Sequence, residues 1–390
     1  PRAGEARTLL VAAYYNSRDY DAAYEAIRAV ANPDAEIRAA LQKIAYFRGL
    51  EAYAAGDLAA AQRSLAESEE VNVSPKYEAL SAFWQGEIAF ARGDRATAAS
   101  RYNAYLRRAP RSEREYALAW YNLGYCDFDR GRMSQARASF EKFLSLHKSS
   151  DRYRADAFNR LGDTYYAERE FDRALAEYGR AEAVGADAAT TRYARYQRAV
   201  TLGILGRNDE KIATLRPLAA DRGGEYADAA AYELGRTYIA QQRYAEGAEA
   251  LERFVADYPS SPRVSQALSD LGLAYLNLGD RERSLACYER VVSSSPQSSA
   301  AKEAMQGIRE IYVEQGNVDG YFAYAERVGA ESDLTALSRD SLSFAAAQKL
   351  YLADRLDDAA KSLRSYVKSY PKGYYLNDAL YYLSDCYLRG

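Results

Sequence analysis

The chain has 390 residues, a formal charge of −3, 36 tyrosines, one histidine and three cysteines. A near-neutral balance argues against a dedicated nucleic-acid binder, which carries a basic excess. One His and three widely spaced Cys exclude most zinc and haem arrangements, and no disulfide framework is legible.

The chain opens with Pro1 rather than Met and shows no signal peptide, so its native N-terminus and any targeting signal are expected to lie outside it. The longest apolar run, Leu9 to Tyr15, is far shorter than the about 20 residues that span a membrane. From that run onward a slot for a small residue recurs at Val11, Gly49, Gly86, Gly124, Gly162, Ala199, Gly235, Gly272, Arg309, Ala347 and Ser384, in steps of 36 to 38 residues. The clearest copies are Leu123-Gly124-Tyr125, Leu161-Gly162-Asp163-Thr164-Tyr165-Tyr166, Leu234-Gly235-Arg236-Thr237-Tyr238 and Leu271-Gly272-Leu273-Ala274-Tyr275. Self-similarity at such a period is the signature of a repeat array.

Each unit carries two apolar patterns of helical spacing: Leu161 and Tyr165 lie four apart, as do Ala174 and Tyr178. Between them stand turns such as Ala55-Gly56-Asp57, Arg92-Gly93-Asp94 and Leu278-Gly279-Asp280. Gly suits the left-handed residue that ends one helix, and the Asp after it suits the cap of the next. Ala61, Ala98, Ala136, Ala174 and Ala359 recur at one offset from the slot, where small side chains let two helices approach closely. Lys211 and Tyr321 stand there instead in two repeats, which makes 190–225 and 300–335 candidate irregular regions. No alternating strand pattern competes. One hairpin cannot bury both apolar faces, so neighbours must stack into an all-α solenoid.

The pattern L-G-x-x-Y, then a Gly-Asp turn, then a small Ala resembles the tetratricopeptide repeat over 1–390, as about ten 37-residue hairpins plus a terminal half repeat. The resemblance implies a right-handed α-α superhelix whose first helices line the concave face and second helices the convex one. The usual repeat has 34 residues. The extra three follow the closing Pro in Asp257-Tyr258-Pro259 and Ser369-Tyr370-Pro371, and are expected to lengthen the next first helix, with Ser112 and Glu115 as a capping box for such a start. The Tyr-Pro-x-Ser variant resembles bacterial cell-envelope tetratricopeptide proteins: the BamD-like lipoproteins, the Tol-associated coordinators and the long arrays of Bacteroidetes. The resemblance implies a periplasmic or outer-membrane lipoprotein setting.

Columns three before and four after the slot give a concave aromatic groove of Tyr15, Tyr46, Tyr53, Phe83, Phe90, Tyr121, Phe128, Tyr166, Tyr196 and Tyr232. Aromatic anchors offer large contact area at small entropy cost, and so suit an extended or helical peptide. Equally, such aromatics pack between helices as part of the repeat consensus. The residues after the slot carry no Lys/Asn set of the kind that grips a C-terminal carboxylate in some family members. Asp127 to Gly131 reads as a helix-ending turn rather than a calcium loop. Arg107, Arg108, Arg111 and Arg114 read as a solvated turn, His147 as the end of a second helix, and Cys126 and Cys386 as core thiols.

No catalytic or cofactor motif is present. The expected function is a non-catalytic scaffold for protein or peptide partners, with no nucleic acid, no cofactor, no metal and no membrane span. Two other readings stand beside it: a structural module of an envelope machine that uses its convex face and ends, and a glycan- or peptidoglycan-binding solenoid whose Tyr groove stacks on sugar rings. Asp378 to Arg389 reads as the first half of a repeat, with Tyr382, Leu383 and Leu388 lacking cover. That implies a fragment of a longer protein or an end that docks onto another chain, end-to-end self-association included.

Overall fold

The computed structural model describes residues 9, 11–13, 15–294, 296–330 and 335–389. Among these residues there is no strand, and the chain forms two compact units, Pro1–Leu205 and Gly206–Gly390. In the first unit, helical residues around Val11 precede α1 (Tyr20–Arg28), α2 (Ala35–Ala54), α3 (Leu58–Val71), α4 (Pro75–Ala91) and α5 (Arg95–Arg108). There follow α6 (Glu115–Asp129), α7 (Met133–Leu146), α8 (Arg152–Ala167), α9 (Phe171–Val184) and α10 (Ala188–Ile204). The second unit holds α11 (Asn208–Ala220), α12 (Ala227–Ala240), α13 (Tyr244–Asp257), α14 (Val264–Asn277) and α15 (Arg281–Ser294). It continues with α16 (Ser299–Glu314), α17 (Val318–Arg327), α18 (Ala336–Leu352), α19 (Leu356–Ser369) and α20 (Leu376–Arg389). Within each unit every helix packs on the next, so each unit is a helical-repeat solenoid.

The Gly-Asp turns form as their chemistry requires. Gly56 sits at φ +81° and Gly93 at φ +80°, and Asp57 and Asp94 accept backbone N–H groups of Ala60 (2.8 Å) and Thr97 (3.0 Å) in the helices they open.

The small slot has a defined partner sixteen residues on, in the second helix of the same hairpin. A Cβ placed on Gly162 would meet the Tyr178 ring at 2.4 Å, and one on Gly86 would meet the Tyr102 ring at 2.8 Å. Ring partners at that position, Tyr102, Phe140, Tyr178 and Tyr288, all face a glycine slot. The slots Ala199 and Ala347 stand opposite the shorter Leu215 and Leu363, and the Arg309 slot has only Ala325 at the offset; all three partners are buried. Size is thus traded between the two positions, as close packing demands.

That trade accounts for the Tyr321 repeat, while the Lys211 repeat keeps Ala199 and Leu215 at the two positions. Tyr321 is fully buried where other repeats place a small residue, while Ala325 is small where they place a large one. The hairpin keeps its volume by exchanging the pair. Lys211 is half-buried, and its Nζ leaves the helix interface to reach Glu233 Oε2 at 2.8 Å. The boundary between the two units falls within 190–225, directly after α10.

Two expectations need correcting. The residues after Tyr258-Pro259 and Tyr370-Pro371 do not extend the next helix. They form paired turns (Ser261 N to Tyr258 O, then Val264 N to Ser261 O; Gly373 N to Tyr370 O, then Leu376 N to Gly373 O), and α14 and α20 begin only afterwards. The Pro ring fixes φ and lacks an N–H, which favours a turn over helix here. Ser112 and Glu115 make no capping box: α6 opens at Glu115 behind Arg114, with no side-chain cap. Tyr382 and Leu383 are only half-buried, with Phe344 and Tyr351 against the Tyr382 ring at 6.2 and 4.6 Å, whereas Leu161 and Leu271 at the position of Leu383 are buried. Leu388 does remain 86% exposed.

Candidate binding face on the first helices

Successive first helices touch one another, α2 with α4, α4 with α6 and α8 with α10, besides touching their own second helices. No pair of second helices shows comparable contact among the described residues. Within each unit the first helices are therefore crowded together side by side, and their free rows form one face, the inner face.

Nine of the ten aromatics expected to line this face belong to the first unit. Tyr46 and Phe83 are buried, at 6% and 1% exposure. Tyr46 packs edge-on against Phe47 and tilted against Tyr77, and Phe83 against Tyr102 and Tyr105. Tyr15, Tyr53, Phe90, Tyr121, Phe128, Tyr166 and Tyr196 are half-buried. Tyr53 meets Trp84 with ring centroids 5.2 Å apart, Tyr121 meets Tyr153 at 5.4 Å, and Tyr166 meets Phe171 at 5.6 Å. Cations lie over three others: Lys43 over Tyr15 (4.4 Å), Arg95 over Phe90 (3.8 Å) and Arg160 over Phe128 (5.9 Å). Tyr232 belongs to the second unit, where it is buried against Phe254 and donates to Asp270 (3.1 Å).

Two groups on this face escaped the column analysis. Phe47 and Trp84, two residues before their slots, join the aromatic row, and Trp84 Nε1 donates to Tyr46 Oη at 3.2 Å. The same offset holds Asn122, Arg160 and Gln197 in the following repeats, so spacing carries no signal for this pair. The carboxylates Glu87, Asp156 and Asp163 are the other group. Asp156 accepts from Tyr121 (2.7 Å) and from Tyr125, while Asp163 accepts from Tyr178 (2.8 Å) and Tyr193 (2.8 Å) and pairs with Arg160 at 2.7 Å. Glu87 Oε1 accepts from Tyr102 Oη (2.6 Å) and Asn122 Nδ2 (2.5 Å).

Burial raises the Glu87 carboxyl above its ordinary range, and the two hydrogen bonds only partly oppose it. Burial likewise raises Asp163, against the pull of Arg160 and the two tyrosines. Tyr46 is pushed up to about 12 by burial, with Glu115 adding to it against the Trp84 hydrogen bond. Tyr121, Tyr125 and Tyr178 are raised too, by burial and then by the carboxylates they donate to. These hydroxyls are held protonated as donors.

The remaining candidates fall into structural roles. Gly131, at φ +72°, ends α6 in a turn closed by Arg132 N to Asp127 O (2.8 Å). Arg108 pairs with Glu78 at 3.0 Å beside the turn that follows α5. His147 caps the C-terminus of α7, stacks on Phe143 (4.9 Å) and meets Asp151 Oδ2 at 2.7 Å. Cys126 and Cys386 are buried and unpaired, and burial lifts the Cys126 thiol to about 12. No described helix is long and apolar enough to cross a membrane.

A family model for the tetratricopeptide repeat matches residues 46–113, 83–157, 128–190 and 232–299, together more than half of the chain. No curated protein matches the chain in sequence. Similar solved structures include YrrB, a tetratricopeptide protein with an unusual peptide-binding site, at 17% identity and TM-score 0.43, covering 53% of this chain and 99% of that one. The type IV pilus biogenesis factor PilW is 15% identical with TM-score 0.41, over 57% of this chain and 96% of its own. The C-terminal part of a repeat protein from Cytophaga hutchinsonii is 12% identical with TM-score 0.46, over 76% and 99%.

Proposed function

The chain belongs to the tetratricopeptide repeat family, and from that premise we propose that it is a non-catalytic scaffold that binds a protein segment along the inner face of its first unit. Repeats of this family generally mediate protein–protein interaction. The observation that carries the reading is the half-buried row Tyr53, Trp84, Phe90, Phe128 and Tyr166, which keeps ring surface open to solvent on successive first helices. Large, stiff and partly exposed rings are the anchors that protein interfaces favour. Tyr46 and Phe83 support this row from beneath rather than forming it. The Tyr-Pro-x-Ser turns support a bacterial envelope setting for the complex.

Site-specific photo-crosslinking tests the reading. A photoreactive phenylalanine replaces Tyr53, Phe90 or Phe128 in turn, with Ser100 and Ala138, exposed on the second helices α5 and α7, as controls. The expected result is one crosslinked protein band shared by the three inner positions and missing from the controls. Equal labelling at the controls, or retention of the chain on cell-wall polymer without a protein band, overturns it.

A further inference from the structure

The inner face holds one carboxylate with no counter-ion. Both hydrogen bonds to Glu87 end on Oε1, from the neutral donors Tyr102 and Asn122. No described Lys or Arg pairs with Glu87, and none contributes to its electrostatic surroundings. Its neighbours are treated otherwise: Asp163 has Arg160, Asp129 has Arg95 and Glu113 has Lys76. Trp84 lies three residues before Glu87 on α4, hence on the same side of the helix. The Trp84 ring meets Tyr53 of α2 at 5.2 Å and 64°, and burial and then the Glu87 charge raise the Tyr53 hydroxyl above its ordinary value.

We infer that Glu87, Trp84 and Tyr53 form a subsite for one basic side chain, a lysine or arginine of the bound segment. The chemistry is complementary on both counts. A partly desolvated carboxylate lacking a cation gains most from one supplied by a ligand. Indole is the best aromatic acceptor of an ammonium or guanidinium, and a paired phenol adds a second wall. The chain already shows the arrangement internally in the same hairpin, where the Arg95 guanidinium lies 3.8 Å over Phe90 while bonding Asp129 of the next repeat at 2.5 Å. At Glu87 the carboxylate and the rings are present and the cation is left to the partner.

The inference rests on the inner face binding a protein segment, and the test separates the two. Random peptides displayed on phage are selected on the full chain, and selected peptides are titrated while Trp84 fluorescence is followed. The expected result is peptides with a Lys or Arg at a fixed place among apolar residues, whose affinity falls about tenfold, or roughly 1.4 kcal/mol, on Glu87→Gln and on replacing that Lys or Arg by norleucine. The norleucine comparison uses the unaltered chain, so a folding defect in the variant cannot imitate the result. Peptides that bind, lose affinity with Tyr53→Ala and show no basic preference would sink the subsite and leave the inner-face reading standing. Failure to select any peptide, or binding that ignores Tyr53→Ala, overturns both.

Discussion

The Gly162 backbone lies so close to Tyr178 that a single added Cβ would stand 2.4 Å from the ring. Tyr178 is 1% exposed and its hydroxyl is tied to Asp163 at 2.8 Å, so the ring has nowhere to retreat. Gly162→Ala should therefore destabilise the first unit by about 1–3 kcal/mol, an overpacking cost that outweighs the better helix propensity of Ala. In a Tyr178→Ala background the same change should cost almost nothing. Urea denaturation of the four proteins of this cycle checks it; additive costs would show that the contact is not the cause.

The exchanged pair in the second unit makes a complementary prediction. Tyr321→Ala empties a fully buried site and should cost about 3–5 kcal/mol, as large-to-small aromatic changes do. Tyr321→Ala combined with Ala325→Tyr restores the order of the other repeats but sets a ring against the Arg309 slot. It should recover stability only when Arg309→Gly is added. Recovery without the glycine would refute the size rule.

Asp156 collects hydroxyls from Tyr121 and Tyr125 across a repeat boundary. Tyr121→Phe keeps the packed ring and deletes one donor to a largely buried carboxylate, which should cost about 1–3 kcal/mol. Thermal melting of Tyr121→Phe, Asp156→Asn and the double variant tests the link. The tyrosine change should matter less once the carboxylate is an amide.

Glu87 predicts the sign of a pH effect. Its carboxyl is raised by burial, so the folded chain holds that proton more tightly than the unfolded chain does. The resulting stability is fully present below the ordinary carboxylate range and is lost as pH rises through the folded value. Glu87→Gln removes the titration while keeping an acceptor for Tyr102 and Asn122. The variant should melt above the parent at neutral pH, with the gap closing on acidification. A gap constant across the acid range would rule the linkage out.

The repeat frame was legible because its cause is local. The Gly162–Tyr178 contact lies within one hairpin and recurs with it, so sequence periodicity carries the helices, the turns and the small slot together. The inner face was legible only in part. Tyr46 and Tyr53 stand in the two columns on either side of one slot, but one is buried and the other half-open, because Phe47, Tyr77 and Trp84 from outside those columns cover them unequally. Glu87 carries no distinguishing mark in the sequence, since its isolation depends on which neutral groups of α5 and α6 reach it. The extra residues after Tyr258-Pro259 were placed in the wrong element because length alone does not distinguish a longer helix from a longer turn.

The tyrosine hydroxyls that reach from one first helix to an acid on the next have a consequence for how such an array can be edited. Tyr121 to Asp156, Tyr232 to Asp270 and Tyr351 to Asp385 each join residues 34 to 38 apart, so each bond spans a junction rather than lying within a hairpin. A hairpin moved to another place in the chain carries half a connection on each side. It seats properly only where the preceding hairpin offers the phenol and the following one the carboxylate. These repeats are alike in backbone and in core, yet they are not interchangeable parts: their order is written in the polar groups at the joints.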